Sequence, residues 1–204
     1  MKILNLYAGI GGNRKLWKNC NVTAVELDPQ IAACYQKHFP DDEVIVADAH
    51  QFLLENYKDF NFIWSSPPCQ THSVINFLYK NCRPPRYADM KLYQEIIFLQ
   101  QFFKGDWVVE NVVPYYKPLI EPMAEIERHL FWSNKFFFGN NFQSNNKIRR
   151  DRKNNEDSAA ALGFDAAEIQ VKDKRQVLRN CVLPELGLYV FENIVGGLLK
   201  RNFG

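Results

Sequence analysis

Over its first 110 residues the chain alternates short apolar runs with helix-like stretches, and this alternation narrows the folds open to it. Met1–Tyr7, Val22–Leu27, Glu43–Ala47, Phe60–Trp64 and Trp107–Val109 read as strands. Asn13–Asn19, Pro29–His38, His50–Tyr57 and the longer Ala88–Phe103 read as helices between them. Such alternation predicts an α/β protein with a mostly parallel, doubly wound sheet and helices on both faces. Sheets of this kind bind ligands beyond the carboxyl ends of their strands.

The character changes after Glu110. Pro118–Leu130 reads as a helix and Phe131–Phe138 as a strand. Gly139–Asp157 is a polar loop with six asparagines and a basic cluster of Lys147, Arg149, Arg150, Arg152 and Lys153. Ser158–Gly163 is a short helical candidate. Pro184 opens a last helix, with Leu186, Tyr189, Val190, Ile194, Val195, Leu198 and Leu199 on one broad apolar face. The expected organisation is one domain built from residues 1–138 and 158–204, interrupted by the basic loop 139–157.

Composition excludes several classes. With 47% hydrophobic and 24% charged residues, the chain is not of the disordered type. No apolar run approaches the roughly 18 residues of a membrane span. The first residues carry one charge and alternate like a strand, unlike a secretory signal. Five widely spaced cysteines without a CxxC pattern point to a reduced, cytoplasmic setting. His38, His50, His72 and His129 show no metal-ligand spacing, so no metal is expected.

Three successive strand ends carry residues suited to a nucleoside. Gly9-Ile10-Gly11-Gly12 follows the first strand, and glycine allows close approach of a ligand to the main chain. A plain βα turn would look the same, since this is not a full GxGxxG fingerprint. Glu26 ends the second strand with Asp28 just beyond, placed to accept hydrogen bonds from ribose hydroxyls. Asp48 ends the third. These residues fit either a nicotinamide dinucleotide or S-adenosylmethionine.

The fourth strand runs into Ser65-Ser66-Pro67-Pro68-Cys69-Gln70-Thr71-His72-Ser73. Two prolines fix φ and stiffen the approach to Cys69, a candidate nucleophile. Glu110-Asn111-Val112 ends the fifth strand, where Glu110 can face Cys69 across a shared cleft. Burial would favour a protonated Glu110 able to donate to a heterocycle nitrogen.

In this order these motifs resemble those of the cytosine-C5 DNA methyltransferase family, in a compact form of the kind a bacterium or a bacterial virus encodes. Leu6–Gly12 resembles the family's cofactor loop, Glu26 and Asp28 its second motif, Asp48 its third, and Pro67-Pro68-Cys69-Gln70 its catalytic motif. Glu110-Asn111-Val112 is its glutamate motif unchanged, Leu162-Gly163-Phe164 echoes another, and Asn180–Pro184 resembles the closing one. The resemblance implies S-adenosyl-L-methionine as cofactor, held by Tyr7, Ala8, Gly9, Gly11, Gly12, Glu26, Leu27, Asp48, Pro67, Leu92 and Asn180. It implies double-stranded DNA as substrate, with the target cytosine flipped out. Cys69 would attack carbon 6 and Glu110 would stabilise charge at the N3 edge. Carbon 5 then accepts the methyl group, and loss of its proton releases Cys69.

The chain departs from the family in places. Asn5 stands where aspartate is common, Ser65-Ser66 where two glycines are common, and His72 where phenylalanine is usual. The family's Gln-x-Arg-x-Arg motif is replaced by Glu127-Arg128-His129-Leu130-Phe131, so either Arg128 or His129 takes the catalytic arginine's place by the cytosine. The sizeable target-recognition domain is reduced to Gly139–Asp157. Gln70, Ser73, Lys80, Arg83 and Arg86, with Lys147, Arg149, Arg150, Arg152 and Lys153, are the expected nucleic-acid contacts. Cationic side chains of this kind position phosphates without reading sequence, which predicts a short target of about two or three base pairs or a protein partner that supplies recognition. An RNA cytosine methyltransferase or a catalytically silent nucleic-acid-binding relative would share much of the pattern. An exocyclic-amine methyltransferase would instead carry an aromatic residue at Cys69 to stack on the base.

Overall fold

The computed structural model describes residues 1–78, 81–82, 84–139, 142 and 154–199, with the side chains of Phe77 and 197–199 left aside. Five parallel strands come first: β1 (Lys2–Leu6), β2 (Asn21–Glu26), β3 (Glu43–Val46), β4 (Phe62–Ser65) and β5 (Asp106–Val112). An antiparallel hairpin, β6 (Ala124–Ile126) and β7 (His129–Ser133), completes a seven-stranded sheet in the order β3-β2-β1-β4-β5-β7-β6. The expected mixed α/β class and mostly parallel sheet are therefore observed.

Central strands β1, β4 and β5 are buried on both faces, which is why they read as continuous apolar runs. Alternate residues serve opposite cores. Ile3, Phe62, Trp64, Val108 and Phe131 meet α7 (Pro184–Leu199) on one face. Leu4, Leu6, Ile63, Trp107 and Val109 meet α2 (Ala49–Asn56) and α4 (Lys91–Phe102) on the other. Helix α1 (Pro29–His38) has Pro29 in its first turn and is capped by Asp28, whose side chain accepts from the Gln30 and Ile31 amides. Short helices α3 (Val74–Leu78), α5 (Asn155–Ala161) and α6 (Lys174–Asn180) complete the set.

Several expectations are corrected. Asn13–Asn19 forms turns rather than a helix. Asn13 exchanges amide hydrogen bonds with buried Asn5, Arg14 pairs with Asp42 at 2.9 Å, and Asn19 takes a left-handed φ of 55°. These long-range ties outcompete a seven-residue segment that has no periodic apolar face. Pro118–Leu130 is not helical either. Pro122 would leave a carbonyl unpaired in a helix interior, and Ala124 and Ile126 are buried while Glu125 is exposed, which is strand periodicity. The strand expected over Phe131–Phe138 lies at His129–Ser133 instead. The helix expected over Ser158–Gly163 spans Asn155–Ala161, started by Asn154 accepting from the Asp157 amide.

In the last helix, Leu186, Val190, Ile194 and Val195 are buried as expected. Trp17 stacks on Phe191 at 4.8 Å and donates to the Gly187 carbonyl, fastening α7 to the turns that follow β1.

Candidate active site

Strand order reverses between β1 and β4, and the connections leave that point in opposite directions. The carboxyl ends of these two strands therefore stand apart and open a crevice. A cleft of about 530 Å³ lies there, walled by Tyr7–Ile10, Gly12, Glu26–Asp28, Asp48, Ser66–Gln70, Glu110–Val112, Arg128, His129 and residues of α6 through Val182.

The β1 loop needs unusual backbone. Tyr7, Gly9 and Gly11 have φ of 56°, 56° and 84°. At Gly9 an added Cβ would meet nothing within 4 Å, so the main chain stands open to the cleft. At Gly12 it would lie 2.1 Å from Cys181 Sγ and 2.4 Å from the Val182 carbonyl oxygen. The C-terminal segment thus packs directly on this loop. Gly11 faces Tyr35 and Phe39 and forms no part of the cleft wall.

Glu26 holds the loop with both carboxylate oxygens. Oε2 accepts from the Gly9 amide at 2.9 Å and Oε1 from the Asp28 amide at 3.0 Å. Leu27 beside it lines the cleft with 67% of its surface exposed. Asp48 also lines the cleft, where its Oδ1 caps α2 through the His50 and Gln51 amides. Its other oxygen lies 3.4 Å from Lys91 Nζ.

Across the cleft, Cys69 sits on the β4 loop. Its carbonyl accepts from the His72 and Ser73 amides at 3.0 Å. Asn111, almost fully buried, donates from Nδ2 to the Pro67 carbonyl at 2.9 Å and so clamps the proline turn beneath the thiol. Sγ lies 4.0 Å from Asn180 Oδ1, which places Asn180 beside the Cys69 thiol. Burial pushes the Cys69 thiol up to about 11, and the negative charge of Glu110 adds to this, while Arg128 and Arg179 oppose it.

The hairpin gives Arg128 and His129 different places beside the cleft. Glu110 pairs with Phe131 across β5 and β7, so His129, two residues earlier, is its diagonal neighbour on the same face. His129 Nδ1 lies 2.5 Å from Glu110 Oε1. Arg128 occupies the two-residue turn, where it donates from Nε to His129 Nε2 at 3.4 Å and from a terminal nitrogen to the Arg179 carbonyl at 2.9 Å. Since a guanidinium only donates, Nε2 accepts, the ring proton sits on Nδ1, and Glu110 Oε1 receives it.

Other expected residues fall elsewhere. Leu92, at 2% exposure, belongs to the core between α4 and the sheet rather than to the cleft wall. Ser73 bridges to Pro114 and accepts from the Ile75 amide, away from the cleft. Gln70 lies exposed on the rim, and Arg86 is exposed outside it. Lys80, Arg83, Lys147, Arg149, Arg150, Arg152 and Lys153 lie outside the described residues.

The departures from the family pattern find partners. Ser66 accepts from Trp64 Nε1, Ser65 donates to Glu95, and His72 Nδ1 lies 2.6 Å from the Tyr116 hydroxyl. Burial holds His72 below the ordinary histidine range. Helix α6, which the sequence reading passed over, contributes Gln176 and Arg179 to the wall. Its charged segment Lys172-Asp173-Lys174-Arg175 before a single Val-Leu pair gave too short a pattern to register as a helix.

The C-5 cytosine-specific DNA methylase family profile matches residues 1–113, more than half of the chain. The chain belongs to this family. Members of this family are S-adenosylmethionine-dependent methyltransferases. The sequence is 34% identical over 119 residues to a tRNA (cytosine(38)-C(5))-methyltransferase of Spodoptera frugiperda, covering 54% of this chain and 35% of that one. Among solved structures, a mutant of Spodoptera frugiperda DNMT2 is similar at 27% identity and a TM-score of 0.42, over 54% of this chain and 35% of that one. The S. pombe Dnmt2 methyltransferase is similar at 19% identity and a TM-score of 0.40, over 55% and 34%. The matched region of this chain spans about a third of the length of these relatives.

Proposed function

We propose that this chain transfers a methyl group to carbon 5 of cytosine in DNA, with Cys69 as nucleophile. One observation carries the reading: Cys69, Glu110 and the Gly9–Glu26 pair wall a single cleft at the switch point of the sheet. A volume of about 530 Å³ suits a nucleoside-sized ligand. The residues fit S-adenosylmethionine: Gly9 leaves its main chain open, Glu26 keeps free lone pairs for ribose hydroxyls, and Leu27 offers an apolar surface for a ring. When bound, that cofactor supplies the methyl group.

Cys69 Sγ forms a bond to carbon 6 of a flipped-out cytosine, and the ring electrons shift toward N3 and carbon 5. Because the thiol starts protonated, its S–H bond breaks and the proton passes to water in the open cleft as the bond to carbon 6 forms. Glu110 presents its carboxyl to the N3 edge, with one oxygen fixed by His129 and the other, in its protonated form, donating a hydrogen bond to N3 as charge develops there. Loss of the carbon-5 proton then expels Cys69 and restores aromaticity. Arg128, Arg179 and Gln70 line the nucleic-acid side of the cleft. Residues 1–138 and 158–204 act as one catalytic domain, and the basic tract 139–157 or a protein partner supplies target recognition.

A second reading, RNA cytosine as substrate, has support in the relative that acts on tRNA. Incubation with 5-fluorocytosine-containing duplex DNA or RNA plus S-adenosylmethionine tests both. A covalent adduct with DNA through Cys69 is expected. An adduct with RNA alone transfers the reading to RNA, and no adduct with either overturns it. Bisulfite sequencing of treated DNA then reads the target, and salt titration its phosphate contacts.

A further inference from the structure

Glu95 on α4 is fully buried, yet it is a carboxylate. It receives three hydrogen bonds: Tyr7 Oη to Oε1 at 2.5 Å, His50 Nδ1 to Oε1 at 2.9 Å, and Ser65 Oγ to Oε2 at 2.5 Å. These donors come from three different places. Tyr7 starts the glycine loop after β1, His50 lies in the first turn of α2 beyond β3, and Ser65 is the last residue of β4. Tyr7 itself lines the cleft, and His50 and Ser65 adjoin it through their neighbours Ala49 and Ser66.

A tyrosine at a φ of 56° is held there only when its surroundings over-determine it. The bond from its hydroxyl to Glu95 does so from the far end of the side chain. A buried charge also requires a counter-charge. Among the described residues His50 is the cation within ion-pair distance of Glu95. Lys91 neighbours His50 but lies against Asp48, and Asp48 and Asp89 are the other charged groups facing this cluster.

We infer that Glu95 is a positioning residue which ties the three strand-end loops of the cofactor cleft into one unit, with His50 as its counter-ion. The inference rests on the proposed cofactor reading of that cleft. Glu95 itself forms no part of the cleft wall and acts through Tyr7, His50 and Ser65. The bond to Glu95 holds His50 above the ordinary histidine range. As pH rises through that raised value the counter-charge is lost, the carboxylate is left buried alone, and the loops loosen.

The test measures S-adenosylhomocysteine binding by calorimetry from pH 6 to 9, for wild type, Glu95→Gln and Tyr7→Phe. Wild type should bind more weakly as pH rises. Glu95→Gln should bind about tenfold more weakly at low pH and lose the pH dependence. Tyr7→Phe should weaken binding but keep the pH dependence, because His50 and Glu95 remain paired. NMR titration should show His50 returning toward its ordinary value in Glu95→Gln, and the Gly9 and Gly11 amides exchanging faster. A loss of affinity that is independent of pH in wild type and variant alike would make Glu95 a structural residue only and overturn the assignment. So would an unchanged His50 titration with unchanged amide exchange. Should wild type not bind the probe, the cofactor reading fails, and the His50 titration and amide exchange still decide whether Glu95 ties the loops.

Discussion

His129 Nδ1 lies 2.5 Å from Glu110 Oε1, and both side chains are buried at the head of the β5–β7 pair. One carboxylate oxygen is therefore committed to the protein, and the proposed mechanism uses the other at the base edge. This relationship depends on an antiparallel register that places Glu110 opposite Phe131. His129→Ala should leave the buried carboxylate short of a donor and cost about a hundredfold in kcat, with S-adenosylhomocysteine affinity unchanged. Initial rates and calorimetry on the variant check this. Equal loss of both quantities would show that His129 supports the fold rather than Glu110.

Cys69 offers a direct electrostatic test. With its thiol pushed up to about 11, alkylation by iodoacetamide should rise about tenfold per pH unit through the alkaline range. Glu110 raises the thiol, so Glu110→Gln should lower it and speed alkylation at pH 8. Arg128 lowers it, so Arg128→Ala should slow the same reaction. Cys69→Ser should abolish methyl transfer and keep cofactor binding. Opposite responses to the two charge changes are the expected result. Matching responses would remove both residues from the thiol's surroundings.

Glu26→Ala removes the acceptor of the Gly9 and Asp28 amides as well as the proposed ribose partner. Losing a charged hydrogen bond costs about 1.5–3 kcal/mol, so S-adenosylhomocysteine should bind roughly ten- to a hundredfold more weakly. Calorimetry reads the change directly. An unchanged affinity would move the cofactor out of this cleft.

Gly12→Ala tests the docking of the C-terminal segment on the cofactor loop. Its new methyl would overlap Cys181 Sγ and the Val182 carbonyl, and the latter is backbone that cannot rotate away. Overpacking of this kind costs about 1–3 kcal/mol. Urea unfolding should show a lower midpoint with an unchanged slope. Gly9→Ala, which meets no neighbour, should show only the smaller strain of its left-handed backbone.

The sequence alone determined which segments become the five parallel strands, where the glycine loop falls, and that Cys69 and Glu110 stand at strand ends. These features are local. Apolar runs, paired prolines and clustered glycines act through backbone geometry within a few residues, so they are legible without the fold. The tertiary structure decided the rest. It made Ala124–Ser133 a hairpin, where a helix had been read across two prolines, because β7 finds a partner in β5. It set His129 against Glu110 and left Arg128 in the turn, through a register that no single segment encodes. It turned Leu92 into the core and gave Asp48 the N-terminus of α2 to cap. It buried Glu95 beneath three loops drawn from distant parts of the chain. Each of these outcomes depends on groups far apart in sequence satisfying a buried polar atom or filling a shared core, and those partners exist only once the sheet has formed.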